Sequence, residues 1–168
     1  DKGGVVVLVT NAPRPSPSVE RQLDRLGVPD DAWDALATSG DAAQFALVSG
    51  AVGRKVWHIG PEKDVTFFTE RAPDMPQTVI ERVPLAEAEG IVCTGLRNDM
   101  TETPADYRAE LLYGKNEGLK MLCANPDIIV DWGDRRIFCA GALAEAYVAF
   151  ALEERALTPQ SINLIVKR

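Results

Sequence analysis

Five apolar residues, 5–9, run without interruption into Thr10 and Asn11. An unbroken β-branched run of this length predicts a strand of a parallel sheet, buried on both faces. A helix follows almost at once. Ser16 is placed to cap it with Pro17 at its first position, Val19, Leu23 and Leu26 repeat at helical spacing, and Gly27 stops it. The same logic recurs downstream, where Leu36 and Ala37 are apolar, Ser39 is a capping residue, and a helix runs to about Val48. Further strands are predicted at 55–60 (KVWHIG), 89–96 (EGIVCTGL) and 119–127 (LKMLCANPD). Thr103 and Pro104 open another helix, with Asp106 three residues after the cap in a capping-box arrangement. The segment IIVDWGDRRIFCAG alternates around Gly133 and Asp134 as a hairpin does, a helix starts just after Gly141, and 158–168 reads as one more strand.

Strands alternating with helices predict an α/β fold with mostly parallel strands. No internal repeat or Gly/Ser-rich linker divides the chain, and residues 70–78 are its most loop-like stretch. Ligands of open parallel sheets gather at the carboxyl ends of the strands. Four predicted strands end in polar or glycine-containing stretches: Thr10-Asn11, Gly60-Pro61, Thr94-Gly95 and Asn125-Pro126-Asp127. A hydroxyl beside free backbone N–H groups at a strand-to-helix turn cradles a phosphoryl group, and Arg14 adds an anion-binding fork to the first of them. Each of these pairs serves equally well as a plain turn and cap.

The remaining chemistry is sparse. The 168 residues fit one domain, large enough to remove roughly 70% of the unfolded surface from water. A net charge of -7 and no basic run argue against nucleic acid and anionic membranes as partners. Cys93, Cys123 and Cys139 each sit in an apolar run without a CxxC, which reads as buried thiols of a reducing cytoplasm. No apolar run approaches the roughly 20 residues of a membrane span. His58, the single histidine, lies inside a strand between Trp57 and Ile59 and reads as a structural imidazole, which weakens a Ser-His-Asp or Cys-His mechanism. Asp30, Asp31 and Asp34 read as a solvated helix entry. Neither GxGxxG nor GxxxxGK[ST] occurs, and only carboxylate metal sites of the Mg²⁺ type stay open.

The ordered combination is nevertheless specific. VVVLVTNAPRPSPSVERQLDRLGV resembles the second motif of haloacid dehalogenase superfamily phosphatases, in which a strand ends in Thr or Ser followed by Asn. DALATSGDAA, VCTGL and MLCANPDIIVDWGDRRIFCAGALAEAY extend the resemblance, over about residues 4–148, to class IIA, the NagD-like and 4-nitrophenylphosphatase-like hydrolases. The resemblance implies a Rossmann-like core segment at 1–50, an inserted α/β cap domain at 51–140, and a return toward the core at 141–168 with a divergent tail. Together these form a three-layer sandwich. It implies that Thr10 and Asn11 contact the transferring phosphoryl group. It also implies that Arg14, Asn125, Asp127 and Gly141 serve substrate binding, with Asn125 and Asp127 at the cap strand end facing the active site and Gly141, with Ala142, starting the helix that follows the family's glycine turn. The implied reaction is hydrolysis of a small phosphorylated metabolite through an aspartyl-phosphate intermediate, with Mg²⁺ as cofactor, in a cytoplasmic enzyme that can form homo-oligomers.

The chain also departs from the family pattern. Asp1 is the only acid before the first strand, and a DxDG motif is absent, as are a Gly-Lys-Pro lysine and an acidic GDxxxTD stretch. The chain therefore reads as the middle of such an enzyme, expected to be inactive by itself, with its metal ligands elsewhere. A non-catalytic α/β ligand-binding or oligomerising module derived from one is the second reading. A different Rossmann-like enzyme with convergent strand ends is the third.

Overall fold

The computed structural model describes residues 3–156, the side chains of 151–156 excepted. The expected strand at 158–168 lies outside the described residues. In chain order the elements are β1 (Val7–Thr10), α1 (Ser16–Arg25), β2 (Ala35–Thr38), α2 (Ser39–Val48), β3 (Lys55–Ile59), α3 (Thr66–Thr69), β4 (Glu81–Arg82), β5 (Gly90–Cys93), α4 (Arg108–Asn116), β6 (Lys120–Cys123), β7 (Ile129–Trp132), β8 (Arg135–Phe138) and α5 (Ala140–Ala156).

The core is built around a parallel sheet of order β4-β3-β5-β6. β5 lies between β3 and β6, and all four of its residues are buried. Alternation along the strands sends side chains to two separate clusters. Ile59, Ile91 and Cys93 pack with Leu111 of α4 and with Leu143, Tyr147 and Phe150 of α5. Val56 and Val92 pack on the opposite face with Leu47 of α2 and Phe67 of α3. Helices on both faces of a parallel sheet make the α/β three-layer arrangement that the pattern predicts. Each fully buried side chain of this size contributes about 1.5–3 kcal/mol.

β1 and β2 form a second, two-stranded parallel sheet, and here the expectation needs correction. β1 is parallel to a neighbour, but it is not buried on both faces: Val5, Val7 and Val9 are 77%, 52% and 79% exposed. Among the described residues β1 pairs with β2 alone. An apolar run shows what a strand can tolerate, not which elements cover it.

Local signals placed the starts of α1 and α2 to within a residue, whereas the strands expected at 89–96 and 119–127 end earlier, at Cys93 and Cys123. α2 is capped by Thr38, whose side chain accepts from the Asp41 N–H at 2.9 Å, rather than by Ser39. α1 begins at Ser16 itself after Pro15, without a side-chain cap, and Gly27 takes the left-handed conformation just past its end. The capping box of Thr103 and Asp106 is present, opening a short 3₁₀ turn that leads into α4. β7 and β8 form the expected antiparallel hairpin around Gly133.

Gly141 is the second residue of α5, packed against the 125–127 loop, its N–H donating to the Asp127 carbonyl at 3.0 Å. An added Cβ would overlap the carbonyl oxygens of Pro126 and Asp127, both backbone atoms. Gly141→Ala is expected to cost about 1–3 kcal/mol as an overpacking change. A lowered urea midpoint at unchanged slope would show it, whereas Gly4→Ala, with nothing within 4 Å, should leave the midpoint in place.

Candidate functional site

Because β3, β5 and β6 are parallel, their carboxyl ends open on one side of the sheet. A 3₁₀ turn over Glu62–Val65 follows β3, β5 continues into Thr94 and Gly95, and β6 leads to Asn125. The loop after β1 brings Arg14 to the same place, and Trp132 and Phe138 of the hairpin form a further wall. These segments enclose a cavity of about 470 Å³, with Arg14, Arg25 and Lys63 as cations and Asp64 and Asp99 as carboxylates on its walls.

Its floor is a chain of buried polar groups. Asp64 is 3% and Thr94 2% exposed. The Thr94 hydroxyl is hydrogen-bonded to the Asp64 carboxylate and lies 2.9 Å from His58 Nε2. A carboxylate only accepts, so Thr94 donates to Asp64 and accepts from the Nε2–H tautomer of His58. Gly60 makes room for this: a Cβ there would overlap the Thr94 hydroxyl and His58 Nε2. Burial pushes Asp64 up to about 6, against the opposing pull of Lys63, Arg14 and Thr94. Burial, with Arg82 and Arg97 nearby, lowers His58 to about 4, so the imidazole is neutral at pH 7. It packs edge-on against Phe68 as the structural imidazole expected of it. Above this floor Lys63 pairs with Asp99 at 3.6 Å and lies 5.9 Å from the Trp132 ring centroid.

The structure brings only some of the residues singled out in the sequence together. Asn11 and Asp127 come together, the Asn11 amide donating to Asp127 Oδ1 at 3.0 Å across 116 residues of sequence. Asn125 is beside them, its side chain accepting from the Asp127 N–H at 3.0 Å while it also lines the cavity. Arg14 lines the cavity and donates to Gln22, which fixes its position against α1. Thr10 lies apart from this cavity, in an adjoining one of about 300 Å³ that shares Arg14. Its hydroxyl accepts from the Ala12 N–H at 3.2 Å, leaving the hydroxyl proton to donate elsewhere. Gly141 is buried beneath the 125–127 loop and lines neither cavity. Cys93 is buried and its thiol is held far above the usual range by desolvation; Cys123 and Cys139 are half-buried, and all three are free.

Asp64, Lys63, Asp99 and Trp132 were not singled out by sequence reasoning. Glu62–Val65 reads as an ordinary polar turn, and the one signal available was its position directly after a strand ending in glycine and proline. Among the described residues no group of three or more His, Cys, Asp or Glu is placed to hold a metal ion. Among the described residues no helix is long and apolar enough to cross a membrane.

No family model and no curated protein matches the chain. Among solved structures it is similar to a haloacid dehalogenase-like hydrolase from Brucella suis, with 43% identity and a TM-score of 0.79 over 89% of this chain and 52% of that one. It shares its fold with a 4-nitrophenylphosphatase from Thermotoga maritima, at 19% identity and a TM-score of 0.59 over 85% of this chain and 50% of that one. A p-nitrophenyl phosphatase from Archaeoglobus fulgidus gives 20% identity and a TM-score of 0.61, over 86% and 51%. The chain thus spans about half the length of the solved structures it matches.

The raised Asp64 implies a pH dependence of definite sign. Between its ordinary 3.8 and about 6 the folded state holds a proton that the unfolded state releases, so this group's contribution to stability falls as pH rises through that window. Asp64→Asn should therefore gain stability relative to the parent between pH 4 and 7, by on the order of 2 kcal/mol. Denaturant melts at the two pH values would show this, and a difference independent of pH would show that the carboxyl titrates normally.

Proposed function

The chain belongs to the haloacid dehalogenase superfamily, and on that premise we propose that it is the phosphate-orienting and substrate-enclosing part of a class IIA phosphomonoester hydrolase. In this reading, residues 1–50 belong to the core and 51–140 to an α/β cap. The substrate is a small phosphorylated metabolite, hydrolysed through an aspartyl-phosphate intermediate. The observation that carries the reading is the Asn11–Asp127 hydrogen bond, which ties the end of β1 to the end of β6 beside a cavity lined by three cations.

The residues of this chain supply binding and orientation. Thr10 has a hydroxyl proton to direct at a phosphoryl oxygen, and Arg14 offers a guanidinium that its bond to Gln22 leaves only partly occupied. Asp127 holds the Asn11 amide in one orientation, and Asn125 fixes the loop carrying Asp127. No carboxylate is among the residues of β1 itself, and among the described residues no group of three or more His, Cys, Asp or Glu is placed to hold a metal ion. Such groups belong, in this proposal, to the parts of the solved relatives that this chain does not span. The enzyme is proposed to work in the cytoplasm, and it can form homo-oligomers.

Two measurements test the reading. In the full-length protein, Thr10→Ala should lower kcat for 4-nitrophenyl phosphate by roughly 10²–10³, as does loss of one donor that strengthens in the transition state. Thr10→Ser should keep most of the rate, and stability should change by about 1 kcal/mol. An unchanged rate with an unfolded protein would reduce Thr10 to a turn cap. The 168-residue chain by itself should give no turnover above a blank; turnover abolished by a change within it would relocate the chemistry.

A further inference from the structure

Arg14 is held at both ends. Its guanidinium donates to Gln22 of α1, and its carbonyl accepts from the Thr38 hydroxyl at 2.9 Å. Between these anchors it lines both the cavity at the strand ends and the adjoining one that holds Thr10. Pro15 follows directly and confines Arg14 to extended backbone conformations, so the direction of its carbonyl decides where the side chain leaves the main chain. Thr38 is buried, and its one oxygen has two partners: it donates to the Arg14 carbonyl and accepts from the Asp41 N–H at 2.9 Å. Capping α2 uses the acceptor alone. The proton is left over from that role, and it goes to the residue that carries the cation. Gly40 stands against the same stretch, where an added Cβ would come within 2.2 Å of the Arg14 carbonyl oxygen.

We propose that Thr38 is a positioning residue: its bond to the Arg14 carbonyl sets where the guanidinium stands, and with it the affinity for the phosphoryl group. The affinity rests on the phosphatase reading; the positioning rests on the geometry alone. Thr38 lines neither cavity, so it acts through the Arg14 loop and not on a ligand. A Thr38 that only caps α2 would give the same helix with no link to Arg14. The two roles differ in which half of the hydroxyl matters. Serine donates and accepts, aspartate only accepts, and valine does neither.

The test is steady-state kinetics of the full-length protein on 4-nitrophenyl phosphate, beside amide hydrogen exchange. Thr38→Asp keeps an acceptor for the Asp41 N–H and loses the donor. It should raise KM by about 10-fold, the worth of one misplaced hydrogen bond to a charged group, with kcat largely kept. Gly40→Ala leaves Thr38 in place but crowds the Arg14 main chain, and it should raise KM in the same direction. Thr38→Ser should restore the parent KM. In an Arg14→Ala background, Thr38→Asp should have no further effect on KM, because it acts through the group already removed. The Gly40 N–H, which donates to the Ala12 carbonyl at 3.0 Å, should exchange faster in Thr38→Asp than in the parent. An unchanged KM in Thr38→Asp overturns the proposal, as does an effect on KM that survives in the Arg14→Ala background. Should Thr38→Asp fail to fold, Gly40→Ala with and without Arg14→Ala decides the same question. A parent protein without turnover defeats the phosphatase reading instead. Exchange then decides alone, and a Gly40 amide as protected in Thr38→Asp as in the parent overturns the positioning role.

Discussion

The rest of the structure depends on the burial of β5 from both faces. Every residue from Gly90 to Cys93 is buried, flanked by β3 and β6 and covered by α4 and α5 on one side and α2 and α3 on the other. A strand so enclosed must satisfy its backbone groups through its neighbours, and the parallel register does so while bringing three strand ends to one edge. Gly90 has no side chain at the point where the Val52 carbonyl crosses it, so the entry to β5 is as tightly packed as its middle. The site is the polar rim of this apolar slab.

That origin explains its electrostatics. Thr94 follows Cys93 directly, so the first polar side chain after β5 emerges at 2% exposure. Asp64 and His58 meet it in the same low-dielectric layer, where burial disfavours both charged forms and moves the carboxyl up and the imidazole down. The outcome is one weakly acidic carboxyl and one neutral donor, joined by a hydroxyl. No ion pair is needed between them, and the nearby charges of Lys63 and Asp99 are matched to each other.

Features encoded locally were legible in the sequence. The β7–β8 hairpin needed only alternation and Gly133, and the Thr103–Asp106 box needed only its spacing. The structural character of His58 followed from its place inside an apolar strand. Features that depend on what packs over a segment were not. β1 carries the pattern of a buried strand and is largely exposed, because its pattern cannot specify a covering layer. Asp64 lies in a short polar turn and is nevertheless buried, on the wall of a cavity that segments distant in sequence line together. The hydrogen bond between Asn11 and Asp127 was not legible in the sequence, since no periodicity links positions 116 residues apart.

The loop after β1 shows how a partly exposed sheet can still present a rigid site. Pro13 and Pro15 fix two backbone angles in it and remove two donors that would need partners. The remaining groups are tied to the start of α2: Thr38 Oγ1 donates to the Arg14 carbonyl at 2.9 Å, and the Ser16 N–H donates to Asp41 Oδ1 at 2.8 Å. Gly40 lets the two backbones touch, since any Cβ there would overlap the main chain of Arg14. Thr38 thus caps α2 and holds the Arg14 loop with the same oxygen. The loop's order therefore comes from the N-terminus of a helix packed on the main sheet through Ala43 and Leu47, not from the burial of β1. The loop that carries Arg14 and the floor formed by Asp64 and Thr94 are thus held on two sides of one cavity by a single packed core.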